Sequence, residues 1–131
     1  MSENEVSKYV IEAALAVHRE LGPGLLESVY EHCVALELRK AGIRCEQQVA
    51  LPVVYKAERL EFGFRMDLVV EDAVVVEVKA TETVHEVHFA QLLTYLKLSG
   101  KRLGLLINFN EVLLKRGVRR VVNGLPEEVR P

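Results

Sequence analysis

The feature that most constrains this chain is a change of hydrophobic period between residues 60 and 109. Leu60, Phe62, Phe64, Met66, Leu68 and Val70 recur at every second position, with Glu61, Gly63, Arg65, Asp67 and Val69 between them. After Glu71-Asp72-Ala73 the alternation resumes, with Val74, Val76, Val78 and Ala80 on one face and Val75, Glu77 and Lys79 on the other. Period two is the pattern of a strand, so two strands joined by a short turn are expected. Thr83 and Glu86 have capping-box spacing, and residues 84–99 read as a helix closed by Gly100. Residues 103–109 are almost continuously apolar, as in a strand covered on both faces. Strand, helix and strand in that order make a crossover unit, expected to be parallel and right-handed. The chain therefore belongs to the α/β class, with a mixed central sheet flanked by helices.

Upstream, Ser2 and Glu5 form another capping-box pair, and Val6, Val10, Ala14, Val17 and Leu21 follow at helical spacing. A first helix over residues 4–21 stops at Gly22-Pro23-Gly24. A second, ending near Gly42, has Leu26, Val29, Tyr30, Cys33, Val34 and Ala41 as its apolar arc. Glu27 falls at the margin of that arc in the first turn, where a carboxylate also complements the helix dipole. Glu37 falls inside the arc, so it should lie beyond the core edge or find a partner. From Cys45 the period becomes two, with Val49, Leu51, Val53 and Tyr55, and a turn at residues 56–59 makes a hairpin with the Leu60–Val70 alternation. Beyond residue 110, two short segments, 112–114 and 118–122, are broken by Gly117 and suggest an extra strand or hairpin. Residues 123–131 read as a polar, loose tail. The 131 residues suit one domain, 1–131, with its core over about 4–110.

Register makes a sharp prediction about Asp67 and Glu77. A three-residue turn, 71–73, pairs Val70 with Val74 and sets Asp67 opposite Glu77, with Cβ atoms roughly 5 Å apart. A two-residue turn would send them to opposite faces. Two facing carboxylates repel, so this arrangement requires a cation. Their hard oxygens suit magnesium, which keeps water and phosphate oxygens as its remaining ligands. Lys79, two residues from Glu77, would share its face and could stabilise a phosphorane-like transition state. On the following helix, His88, Gln91 and Tyr95 form a polar stripe, and Val87, Ala90, Leu93 and Leu96 are expected to face the core. His85 and His88 at a helix start read as solvent-facing rather than as a zinc pair.

The composition is that of a soluble globular protein, half apolar and 27% charged. Neither a leader pattern nor a membrane-spanning run is present, so a cytoplasmic location is expected. Cys33 and Cys45 fit neither a disulfide framework nor a zinc pattern, and both should be reduced, with Cys33 in the core. The net charge of −2 hides an asymmetry: residues 97–120 hold seven basic side chains and one acid, net +6, leaving −8 elsewhere. Lys97, Lys101, Arg102, Lys115, Arg116, Arg119 and Arg120 are thus candidates for contacting nucleic acid. The same residues suit a solvated helix end and a charged edge strand.

Gly24-Leu-Leu-Glu27-Ser-Val-Tyr30, Asp67, Glu77-Val-Lys79 and Gln91-Leu-Leu-Thr-Tyr95, in that order, resemble the PD-(D/E)xK nuclease superfamily and, within it, the small GxxExxY proteins. Met66 stands where the superfamily's name has proline. The resemblance spans nearly the whole chain and implies a restriction-endonuclease-like αβββαβ core. It implies Asp67, Glu77 and the Val78 carbonyl as ligands to Mg2+ or Mn2+, with Glu27 an auxiliary acid near the metal, directly or through water. It further implies Lys79 as the catalytic lysine, and Gln91 and Tyr95 as residues that position Lys79, the phosphate or the nucleophile. The activity implied is nuclease hydrolysis of DNA or RNA. The alternative is a module of the same fold that binds nucleic acid or protein without cleaving, or an accessory subunit of a repair or defence complex. The acidic balance favours that alternative, or a homodimer or protein partner that completes a basic groove.

Overall fold

A computed structural model describes residues 1–126. The elements are α1 (Glu3–Leu21), α2 (Glu27–Lys40), β1 (Cys45–Ala50), β2 (Val53–Tyr55), β3 (Glu58–Leu60), β4 (Arg65–Val70), β5 (Val74–Lys79), α3 (Glu86–Ser99), β6 (Leu103–Asn108), a 3-10 turn (Leu114–Gly117) and β7 (Val118–Val122). The central sheet runs β1-β4-β5-β6-β7. Only the β5–β6 pair is parallel; the other three are antiparallel. Helices α1 and α2 cover one face through Val6, Val10, Val34 and Leu38 against Leu68, Val76 and Leu105. The other face is covered by α3, where Leu92, Tyr95 and Leu96 meet Val69, Val75 and Leu106. Taken as α2, β1, β4, β5, α3 and β6, this is a restriction-endonuclease-like αβββαβ core.

The strands follow from their composition. Every residue of β6 is buried, the doubly covered strand that its apolar run demanded. Gly104 allows α3 to lie close on it, since a Cβ there would sit 2.9 Å from Leu92 Cδ1. The Ser2 hydroxyl caps α1 by accepting the Glu5 N–H at 3.2 Å.

Several local expectations are corrected. The hairpin expected over residues 45–70 is broken. Pro52 supplies no N–H, Gly63 takes φ +77°, and β2 and β3 form a separate ribbon turned by Lys56 and Ala57 at φ 48° and 69°. Phe62 and Phe64 are therefore exposed, unlike Met66, Leu68 and Val70 of the same alternation. The buried face of α2 is Tyr30, Val34, Ala35 and Leu38, not the arc through Leu26, Val29 and Ala41. Tyr30 sets that rotation: its ring stacks on Phe109 at 4.5 Å, and its hydroxyl donates to the Gly22 carbonyl at 2.6 Å. Glu37 is consequently exposed, as its awkward position on the wheel required.

Helix α3 starts two residues later than expected. Its first turn is closed by His88 Nδ1, which accepts the His85 N–H at 3.0 Å, rather than by Thr83 and Glu86. Val87 is exposed, and Leu92 and Tyr95 replace it and Ala90 in the core. Of the two free cysteines, Cys45 is the buried one and Cys33 lies half-buried against the core. The start of the tail is held, since Asn123 bonds to the carbonyls of Arg102 and Lys101 and Leu125 packs on the core. The expectation for residues 127–131 lies outside the described residues.

Candidate metal centre

The site forms where the β4–β5 ladder ends. Backbone pairing runs from Val70–Val74 to Leu68–Val76, the register of the three-residue turn, and stops there. One step further, Asp67 and Glu77 stand opposite each other and their carboxylates take over the role of strand carbonyls. The Val78 N–H donates to Asp67 Oδ2 at 2.8 Å, and the Asp67 N–H reaches Glu77 Oε1 at 3.4 Å. On its other side Asp67 faces Gln48, which lies between the Gln47–Leu68 and Val49–Met66 pairs and adopts φ 52°. The strands roll over at this point. Leu68 packs toward α1 and α2, whereas Met66 and Val49 pack toward α3. Strict alternation placed Met66 with Leu68, and the left-handed backbone of Gln48 accounts for the departure.

Glu77 is 7% exposed, and its carboxyl is pushed up to about 9, first by desolvation and then by the Asp67 charge and a shared hydrogen bond. Lys79 opposes this shift and has no ion-pair partner among the described residues. Tyr95 lies within range of both acids, and burial, followed by Glu77 and Asp67, raises its phenol. Its ring meets Phe64 at 6.4 Å. His88 is also at the site margin. Desolvation and then the Lys79 charge lower it, while Glu27 acts in the opposite direction.

Glu27 comes from the other side of the sheet end. Gly24 takes φ +102° in the turn that precedes α2, and Tyr30 pins this turn by bonding Gly22 and accepting the Leu25 N–H at 3.0 Å. Glu27 then opens the helix, and its Oε1 accepts the Ala80 N–H at 3.4 Å. Asn108, 2% exposed, fixes the chain just beyond by bonding both the N–H and the carbonyl of Thr81. A pocket of about 540 Å³ opens between these parts, lined by Glu27, Ser28, Glu31, Gln48, Asp67 and Ala80 among others.

Three residues of this constellation were not picked out from the sequence. Glu31 is one helical turn after Glu27, a signal that the i, i+4 spacing carried. Gln48 lies opposite Asp67 once β1 is registered on β4. Asn108 was concealed within an apolar run. Gln91, by contrast, is exposed on α3, and its side chain makes no hydrogen bond among the described residues. The seven basic residues are dispersed. Lys101 binds Asp72, Arg102 binds Glu3 and Arg120 binds Asn4. Lys97, Lys115, Arg116 and Arg119 are exposed. Arg116 and Arg119 line a pocket of about 250 Å³ with Glu82 and Thr83, just past the end of β5.

The donor set fits a hard divalent cation. Burial first, and then the facing Asp67 charge, push the Glu77 carboxyl above its ordinary range, and a divalent charge between the two carboxylates would let both ionise. Among the described residues no three His, Cys, Asp or Glu side chains converge to hold an ion unaided. Asp67 and Glu77 would thus be supplemented by backbone, water or phosphate oxygens, as suits magnesium. No helix among the described residues is long and apolar enough to cross a membrane. Neither the curated proteins nor the solved structures include a match to the chain. The family model of the PD-(D/E)XK nuclease superfamily matches residues 4–121, nearly the full length. With that match and the αβββαβ core in hand, the chain belongs to the PD-(D/E)XK nuclease superfamily.

Proposed function

We propose that this protein is a nuclease of the GxxExxY type, acting as a single domain on phosphodiester bonds of DNA or RNA with Mg2+ or Mn2+. The observation that carries the reading is the buried Glu77 facing the half-buried Asp67, with Lys79, which has no ion-pair partner among the described residues, beside them. Asp67, Glu77 and the Val78 carbonyl would hold the ion, with Glu27 near it directly or through water. A divalent ion at that place supplies an acidified water and neutralises charge on the scissile phosphate. Lys79, which has no ion-pair partner among the described residues, contributes positive charge to orient the attacking water and stabilise the pentacovalent transition state. Tyr95, wedged between core and carboxylates, positions the phosphate or Lys79, and Gln91 acts from the same helix face. The family assignment agrees with a nucleic-acid substrate.

The test is cleavage of labelled single- and double-stranded DNA and RNA with Mg2+ or Mn2+, alongside Lys79→Ala and Asp67→Asn. Metal-dependent cleavage should fall by about 10²–10³-fold in Lys79→Ala, the usual loss for one transition-state donor. Cleavage undiminished in Lys79→Ala, or absent from the wild type with either metal, would overturn the reading.

A further inference from the structure

Hydrogen bonds around Asp67 reach two residues that the nuclease motifs do not include. We propose that Glu31 and Gln48 are positioning residues of the metal site: Glu31 clamps the Gln48 amide, and Gln48 fixes the rotation of the Asp67 carboxylate. The inference rests on the metal-binding reading of Asp67 and Glu77.

One hydrogen bond leaves a carboxylate free to turn; two on different oxygens hold its plane. Asp67 Oδ2 accepts the Val78 N–H at 2.8 Å. Its Oδ1 is the atom that remains, and Gln48 Nε2 donates to it at 3.3 Å. The same nitrogen donates to Glu31 Oε1 at 2.6 Å, a short, charge-assisted bond that dictates where the amide lies. The other oxygen of Glu31 accepts Gln47 Nε2 at 3.1 Å. Gln47 in turn accepts from Arg39 at 3.2 Å, and Arg39 is anchored on the Cys45 carbonyl. An ordered chain of donors and acceptors thus runs from α2 through β1 to Asp67.

Two features mark this chain as more than packing. Glu31 is 8% exposed, yet its partners are two neutral amides and, among the described residues, no cation. A buried carboxylate so held does little for helix stability, but it is well suited to orienting an amide. Gln48 also keeps a left-handed backbone, φ 52°, inside a strand, a conformation that persists in a non-glycine residue only when its surroundings impose it. From that position its side chain reaches Glu31 and Asp67 together. A cation at Asp67 would therefore meet an oxygen whose direction is already set, and loss of such outer hydrogen bonds typically weakens metal binding about 10–100-fold.

The experiment titrates Mn2+ into the intact protein by calorimetry, for wild type, Asp67→Asn, Gln48→Met, Glu31→Gln and the Gln48→Met/Glu31→Gln pair. Gln48→Met keeps chain length but removes both donors at an exposed position, so it should fold with wild-type circular dichroism and bind Mn2+ about 10–100-fold more weakly. Glu31→Gln keeps an oxygen for the Gln48 amide. It should lose less, and add nothing further in the Gln48→Met background, because Glu31 acts through Gln48. Wild-type Mn2+ affinity in Gln48→Met, with only the melting temperature changed, would overturn the proposal and leave the metal site standing. A wild type with no Mn2+ binding that Asp67→Asn removes would overturn the metal reading itself. If Glu31→Gln fails to fold, Gln48→Met decides alone.

Discussion

Glu77 lies 7% exposed against Asp67, so in the metal-free fold its carboxyl holds a proton up to about pH 9, whereas the unfolded chain releases it near the ordinary value of 4.5. Between those values the folded state binds the extra proton. The contribution is fully present below about 4.5 and is lost as pH rises through about 9. The melting temperature of metal-free protein should therefore fall from pH 5 to pH 9, and Glu77→Gln should flatten that slope. Mn2+ affinity should rise over the same range, because the ion binds the deprotonated pair. Calorimetric melts and titrations at four pH values check both, and a wild-type slope equal to that of Glu77→Gln would refute the account. Asp67, Glu77 and Lys79 could be read from the sequence because strand period and a three-residue turn dictate their juxtaposition. Glu31 was signalled only by its i, i+4 spacing from Glu27, and Gln48 not at all, since the contacts that link them to Asp67 depend on how α2 rolls on the sheet and on a backbone inversion that no residue type announces.

Elements were legible where one interaction dominates them. The doubly apolar run became the buried β6, and the Val70–Val74 register followed from turn length. The helix faces were harder, since α2 is oriented less by its apolar arc than by one side chain. Tyr30 bonds two backbone groups of the turn and stacks on Phe109, and this aims Glu27 at Ala80. Tyr30→Phe keeps the stack and removes both hydrogen bonds, at a cost of about 1–3 kcal/mol if the freed backbone groups stay dry. The expected result is a lower melting temperature together with weaker activity. A stability loss alone, with Mn2+ affinity and cleavage unchanged, would mean that the turn does not place Glu27. The break in the hairpin over residues 45–70 is not legible in its period because alternation is blind to Pro52 and Gly63, which divide it into ladder and ribbon.

Across the whole molecule, sequence proximity overstated the unity of the basic segment. Lys101 and Arg102 lie at the start of β6, the end of the sheet remote from Lys79, and are engaged by Asp72 and Glu3. Arg116 and Arg119 lie toward the other end and, among the described residues, form no ion pair. The segment leaving Lys79 runs through Glu82 and Thr83 along the same pocket. A phosphate chain entering the metal centre would pass these two arginines and leave the distant pair untouched. Each phosphate that the protein no longer neutralises lowers the salt slope of binding by about 1. Arg116→Gln/Arg119→Gln should therefore weaken oligonucleotide binding most at low salt and lower the slope by about 2. Lys101→Gln/Arg102→Gln should leave the slope unchanged, and removing these partly exposed surface ion pairs should change stability little. Fluorescence anisotropy of a labelled oligonucleotide in EDTA, where cleavage is suppressed, measures both. Equal losses in the two double variants would mean that nucleic acid does not approach along the β5 end, and the path past Thr83 would have to be abandoned.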